Sequence, residues 1–519
     1  MLERLLVLLF LGGGVALFIV GERRKMARLT SWAANLFAVY ALFWVGFMAY
    51  VWVNHINFPL NLEAMELTVL QHLKRALAGQ VVYAAPASDF VSLAYAPLYY
   101  YFSVPFAWLF GANLFTLRLV AILGYLGAGV VMFLAVREQT RSIWWGLMAV
   151  GLFAAAYRVM DTYLDNAHSD SWLLCCALLG TYLISLNRSR AVNWLGVLVL
   201  IVSFWFKQHG ALFAIGGVLY LTWRDGLKAA VWYWVTAFLL GPVLYLLAPT
   251  LFFGPWFRYY TLTVPGHWSE LNFDAIKRYG GFIVKSYPAL AGIGGAALIW
   301  QFFRQRNKLS IWYFMLPFAM LSGFMGALDP GSNNNVFIPM GTWFIITGVL
   351  GLAAFQTTWP LVNRWAAHLV VLGLSFTLFF YNPATVLVSP KADVAYQDLV
   401  AYLNALDGPV YAPWIGQLES GYAFQPAVHW VPMEDLIRGP RVDMYAHPQI
   451  RTLLDPVLHP SGTAYILMNY PLENDPLLSF LLENGYDLET DLGGRFSALA
   501  TLPKRFDLEY PRYLYKYQP

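Results

Sequence analysis

Apolar residues in this chain run on instead of alternating. Residues 2–20 and 32–53 form two such runs, and others recur at 115–136, 142–158, 171–187, 191–206, 210–223, 229–250, 286–303, 310–327, 335–356 and 364–381. A helix needs about 20 apolar residues to cross a bilayer core. Only helices or closed barrels satisfy their backbone in lipid. The runs lack a strand's alternation, so they predict helices, about twelve of them. Between the second and third runs lies a mixed stretch, 54–114. Its segment 97–110 is apolar but short, bounded by Pro97 and Gly111, which predicts a re-entrant or surface-lying helix.

After Tyr381 the pattern changes. Residues 394–406 have helical spacing, with Val394, Leu399, Tyr402 and Leu403 on one side. Residues 408–414 read as a turn and a short strand, 463–470 as a second strand, 476–486 as a helix ended by Gly485, and 496–502 as a third strand. The expected architecture is a polytopic α-helical membrane region, 1–381, with a small external α/β domain, 382–519.

Composition supports the membrane reading. Charged residues are 12% of the chain, against about 25% in soluble domains. The net charge of +4 is spread over many loops and gives no case for nucleic acid. Cys175 and Cys176 are adjacent in an apolar run, without a CxxC or Cys/His cluster, and read as helix packing.

Charge also sets the expected sidedness. Arg23, Arg24, Lys25 and Arg28 follow the first run, unlike a signal peptide's leading charges, so the first helix is retained with its loop cytoplasmic. Stretch 54–114 is then external. Later inside turns carry Arg137 and Arg141, Arg188 and Arg190, Arg224 and Lys228, then Arg304, Arg306 and Lys308, and finally Arg364. The external loops are 159–170, 207–209, 251–285 and 328–334.

Candidate chemistry falls on those external loops. Glu63 and Glu66, at i,i+3 in a helix starting near Asn61, face one way and can split their pKa values, leaving one as a base. The same spacing suits acids stabilised at a helix start. Asp161, Asp165, His168 and Asp170 have the donor mixture of a divalent-cation site, or form a polar turn. Lys207, beside Gln208 and His209, suits a phosphate or snorkels to the interface. Arg258, Tyr259 and His267 lie among aromatics able to hold a phosphate or stack on a sugar, or to form an interfacial belt. Gly331 to Asn335 offers amides to a sugar or makes a turn. No Walker loop, GxGxxG, GxSxG or HExxH is present.

These loops, in this order, resemble the C-type glycosyltransferase superfold (GT-C), in its protein O-mannosyltransferase and aminoarabinose transferase-like branch. The resemblance rests on Glu63 and Glu66, Gly79 to Tyr83, Tyr95-Ala96-Pro97-Leu98-Tyr99-Tyr100, Phe110-Gly111 and Arg118, then Asp170, Lys207-Gln208 and Gly331 to Asn335. It covers roughly residues 30–380. His168 stands where the family's Arg-x-Asp has arginine, and Ala96 replaces the first proline of a Pro-Pro pair.

The resemblance implies an inverting enzyme of the inner or plasma membrane, working on its extracytoplasmic face. Its donor would be a polyprenyl-phosphate sugar, and its acceptor a glycan, lipid or protein. Glu63, Glu66 and Asp170 would be catalytic. Lys207, Arg258, Gln208 and His168 would hold the donor phosphate, and Asn335, Tyr259 and His267 would hold sugar or acceptor. No resident cofactor is implied, and the acids of 161–170 are the place for any divalent cation. The rivals are a lipid-linked-sugar flippase and a non-catalytic assembly subunit.

Overall fold

Each of the twelve apolar runs carries a helix. The computed structural model describes residues 2–304, 309–438, 448–500 and 510–518. The helices are α1 (Leu2–Arg23), α2 (Ala27–His55), α3 (Glu66–Leu77), α4 (Leu98–Phe110), α5 (Leu114–Thr140), α6 (Ile143–Ala155), α7 (Asp170–Leu186), α8 (Arg190–Phe206) and α9 (Gly210–Asp225). Then come α10 (Leu227–Phe253), α11 (Phe273–Ser286), α12 (Pro288–Arg304), α13 (Ile311–Ala327), α14 (Ile338–Thr358) and α15 (Ala367–Phe379). Arg306 and Lys308, expected in an inside turn, lie outside the described residues.

Length and composition alone support only part of the expected count of about twelve spans. Among the described residues, five helices are long and apolar enough to cross a membrane, and a sixth arises if α11 and α12, bent by 96°, form one span. Five others are apolar but only 10–17 residues long, short of the roughly 20 that a bilayer core requires. Apolarity therefore does not always mean lipid contact here. Residues 338–353 of α14 are buried throughout, packed inside protein.

Small residues let neighbouring helices close up. A methyl group on Gly180 of α7 would stand 2.7 Å from the Gly196 carbonyl of α8, and one on Gly196 would stand 2.9 Å from the Gly180 carbonyl. Only backbones without side chains fit at that crossing. α10 breaks into π turns at Leu239–Val243 and Pro249–Phe253, which contain Pro242 and Pro249. Proline removes a backbone donor and crowds the preceding turn.

α4 has only 13 residues, with Tyr99 and Tyr100 buried. At its far end Trp108 and Leu109 are more than 70% exposed, which leaves an apolar tip on the surface.

The C-terminal region holds α16 (Ala392–Asn404), α17 (Trp430–Ile437) and a four-stranded sheet. Its strands are β1 (Val410–Tyr411), β2 (Tyr465–Met468), β3 (Tyr486–Asp491) and β4 (Tyr513–Tyr517), in the order β1-β2-β4-β3. β1 and β2 are parallel, and the other pairs antiparallel.

Several expectations for this region are corrected. Val394 is exposed, and α16 buries Ala395, Tyr396, Leu399 and Leu403 instead. The helix expected at 476–486 is a single turn at Ser479–Leu481, because Asp475 takes the Leu477 and Leu478 amides into a local turn. The strand expected at 496–502 is a turn, Ser497–Leu499, and its last two residues lie outside the described ones. The sheet is completed by β3, polar and exposed after Tyr486, and by β4, which buries Leu514 and Tyr515.

One apolar core joins residues 58–120 to this region. Phe58, Leu70, Tyr83, Leu399, Leu436 and Leu467 belong to it, while α1, α2, α6 and α14 contribute to a second core.

Candidate active site

The 54–66 turn wraps around a buried guanidinium. Arg118 of α5 is fully buried and donates to the carbonyls of His55, Phe58 and Leu60. It also grips Glu66 with two hydrogen bonds, Nε to Oε1 at 3.0 Å and Nη2 to Oε2 at 2.6 Å. Glu66 accepts two more, from the Leu62 and Ala167 amides at 2.6 and 2.8 Å. A fork of two parallel donors suits a carboxylate.

This knot changes the expected helix. α3 starts at Glu66, not near Asn61, because the preceding carbonyls turn toward Arg118. Glu63 and Glu66 therefore do not share a helical face.

Glu63 lines a cavity of about 450 Å³. It is 3% exposed, with Oε2 accepting from the Met65 amide at 3.0 Å and Oε1 accepting from the Tyr163 hydroxyl at 3.1 Å. Burial, aided by the charges of Glu66 and Asp170, raises it to about 7. Tyr163 in turn accepts from Asn333 Nδ2 at 2.7 Å, so its proton is free to point at Glu63. Asp161 and Thr162, just before Tyr163, both have positive φ, at 51° and 63°. Few residues other than glycine adopt that conformation. Asp161 accepts the Asn334 amide at 2.9 Å, which ties this turn to the asparagine loop.

Lys207 lines the same cavity at the end of α8. Its Nζ donates to Asp170 Oδ1 at 2.7 Å and lies 5.4 Å from the centre of the Tyr95 ring. Asp170 also accepts from Asn335 at 2.8 Å. His168 Nδ1 stands 2.6 Å from the same carboxylate, and its ring packs edge-on to Tyr95. Gln208 donates to the Ala94 and Thr261 carbonyls. His209, between burial and the Lys207 charge, is lowered to about 4 and is neutral at pH 7.

Another part of the wall comes from the C-terminal region. Residues 430, 431, 434, 435 and 438 face the cavity from one side of α17 and its end. Arg438 pairs with Asp329, Glu434 and Asp435 and lies over the Trp268 ring, its carbon 4.8 Å from the ring centre. A methyl group on Gly331 would collide with that guanidinium. Arg278 of α11 holds the same loop through the carbonyls of Gly326, Asp329 and Ser332. A second cavity of about 430 Å³, walled mainly by apolar residues of α8, α9 and α10, meets the first at Gln208, Thr261 and Leu262.

Of the residues singled out from sequence, Glu63, Lys207, Gln208 and Asn335 line the cavity, and Asp170 and His168 stand directly behind Lys207 and Tyr95. Glu66 is turned into the Arg118 knot. Arg258, Tyr259 and His267 are not in the cavity wall, and exposed Arg258 donates to the Leu246 carbonyl. The acids of 159–170 are dispersed: Asp161 holds Asn334, Asp165 holds His55 and Tyr157, and Asp170 holds Lys207. Among the described residues no group of three or more His, Cys, Asp or Glu could hold a metal ion.

Tyr163, Trp430, Glu434, Asp435 and Arg438 were not expected at the site, whereas Asn333 and Trp268 lie in the two loops expected to meet a sugar. Those two loops were the signals that pointed near the others. The C-terminal residues carry no motif, and only folding brings them to Glu63.

The overall fold is like that of two solved ArnT structures. The chain is similar to the crystal structure of ArnT from Cupriavidus metallidurans in the apo state, with 13% identity and a TM-score of 0.51 over 94% of this chain and 98% of that one. It is also similar to ArnT from Cupriavidus metallidurans bound to undecaprenyl phosphate, with 13% identity and a TM-score of 0.50 over 92% and 97%. No protein-family model matches the chain, and no curated protein sequence does.

Proposed function

We propose that this protein is an inverting glycosyltransferase that moves a sugar from a polyprenyl-phosphate donor to an acceptor hydroxyl on the extracytoplasmic face. The observation that carries this reading is Glu63, a buried carboxylate poised near neutrality in the wall of a cavity that also presents Lys207. The adjoining apolar cavity suits an isoprenoid chain, and Lys207 near the junction suits its phosphate. The ArnT structure with bound undecaprenyl phosphate lends support to such a donor.

In the step, Glu63 takes the acceptor's hydroxyl proton and the acceptor oxygen bonds to the anomeric carbon. The bond from that carbon to the phosphate oxygen breaks, and its electron pair leaves on the lipid phosphate. A single displacement inverts the anomeric centre. Lys207 offsets charge that grows on the phosphate as the bond breaks, so it favours the transition state over the ground state. Asp170 positions Lys207, and Asn335 and His168 hold Asp170 in turn. Glu66 holds the turn that presents Glu63, and Arg258 has no part in the step. The positive-inside pattern supports a cavity that opens outside the cytoplasm.

The test is transfer from radiolabelled polyprenyl-phosphate sugars in proteoliposomes, with Glu63→Gln in parallel. Transfer by the unaltered protein and its loss in the variant are the expected results. Lipid-linked sugar crossing the bilayer without transfer would sink the enzyme reading in favour of a flippase.

A further inference from the structure

The part of the cavity wall around Trp430, Trp268 and Arg438 differs from the rest in what it offers a ligand. Two indoles stand there, and both are fixed. Trp430 stacks on Trp414 at 4.6 Å and sends its N–H to Asp475. Trp268 carries Arg438 on its ring and sends its N–H to the Asp435 carbonyl. With both N–H groups committed, these rings present apolar surface alone to the cavity, and they lose little freedom when a ligand arrives.

The polar groups beside them mostly accept. Glu434, Asp435 and Asp329 share one guanidinium, that of Arg438. Asn333 Oδ1 is buried and has no hydrogen-bond partner. A ligand that completes this wall brings several hydrogen-bond donors and a flat, weakly polar face. Among the described residues of this wall the one cation, Arg438, is committed to three carboxylates, and a plain hydrocarbon leaves the wall's acceptors unmet.

We infer that this wall, formed by α17 and the 328–335 loop, is a subsite for a neutral, hydroxyl-rich sugar ring, so that the acceptor is a carbohydrate. It rests on the transferase reading in that the bound ring would present a hydroxyl to Glu63. Trp430 supplies the platform for the ring's C–H face, and Glu434 and Asn333 accept from its hydroxyls. The C-terminal region then selects the acceptor while the helices hold the donor.

The experiment is saturation-transfer-difference NMR on the full-length protein in nanodiscs. The probes are a set of methyl hexosides, glucosamine and an acetylated serine peptide. Saturation reaching the hexoside ring protons is expected, with affinity falling roughly tenfold in Trp430→Ala, the size of one lost aromatic contact. Trp430→Phe should retain binding, and Glu434→Gln should weaken it. Thermal melting confirms that each variant is folded.

No saturation of any neutral hexoside by the folded unaltered protein would overturn the inference. So would equal binding by Trp430→Ala, or binding confined to glucosamine or to the peptide. Geranyl phosphate, titrated into the same samples, separates the two readings. Its binding without hexoside binding leaves the donor reading standing and removes this one. Hexoside binding without it keeps the subsite and removes the transferase reading.

Discussion

Glu66 and Glu63 stand in two regions that treat a carboxylate in opposite ways. Around Glu66 the protein supplies four hydrogen bonds and a buried arginine, so the charge is fully matched and unavailable. Around Glu63 it supplies two hydrogen bonds and an open cavity wall, so the carboxylate titrates near neutrality and remains reachable. One region fixes the turn, and the other uses it. A buried acid marks chemistry only when its neighbours leave part of it unsatisfied.

The sharpest break of this contrast is Glu63→Gln. Transfer should fall by about 10²–10⁴-fold, the usual worth of a general base, with the protein still folded. Arg118→Leu should do the reverse. It strands Glu66 in the interior, and such a loss costs about 3–5 kcal/mol of stability, read by thermal or denaturant unfolding.

Asp170→Asn attacks the support of Lys207 and not the base. Removing a charge-assisted partner should raise the donor KM roughly tenfold, checked by steady-state kinetics with donor varied.

Acidity gives a finer test. Because the base form of Glu63 appears as pH rises through about 7, the rate should climb across that range. Tyr163 donates to the ionised form and lowers the pKa, so Tyr163→Phe should move the midpoint upward and lower the neutral rate a few-fold at most, read from a pH–rate profile. The linked stability runs the other way. A raised carboxyl stabilises the folded state below its unfolded value of 4.5, and that contribution is lost as pH rises through about 7. Glu63→Gln should remove this dependence.

The smallest effect belongs to Val394→Ser. Its side chain is exposed, so unfolding stability should stay within about 0.5 kcal/mol.

Much of the helical frame was legible in the sequence, because a long apolar run names its own structure. Which helices face lipid was not, since α14 is as apolar as a lipid-facing helix yet is packed inside protein. Lys207 and Asn335 were visible as polar residues at the ends of apolar runs. Arg258 had the same local signal, but its neighbours turn it away from the cavity. Of the C-terminal strands, β1 and β2 showed as short apolar stretches, whereas β3 is polar and exposed after Tyr486 and β4 is short, and both depend on pairing.

The sequence by itself determined the class of solvent, the positions of the helices and the loops where charge collects. Those follow from hydrophobicity and charge read within a few residues of one another. The tertiary structure decided which acid is spent on Arg118 and which is left to titrate. It also decided that residues from Glu63 to Arg438 share one cavity. Burial and partner geometry fix the state of a carboxylate, and both depend on side chains far apart in the chain.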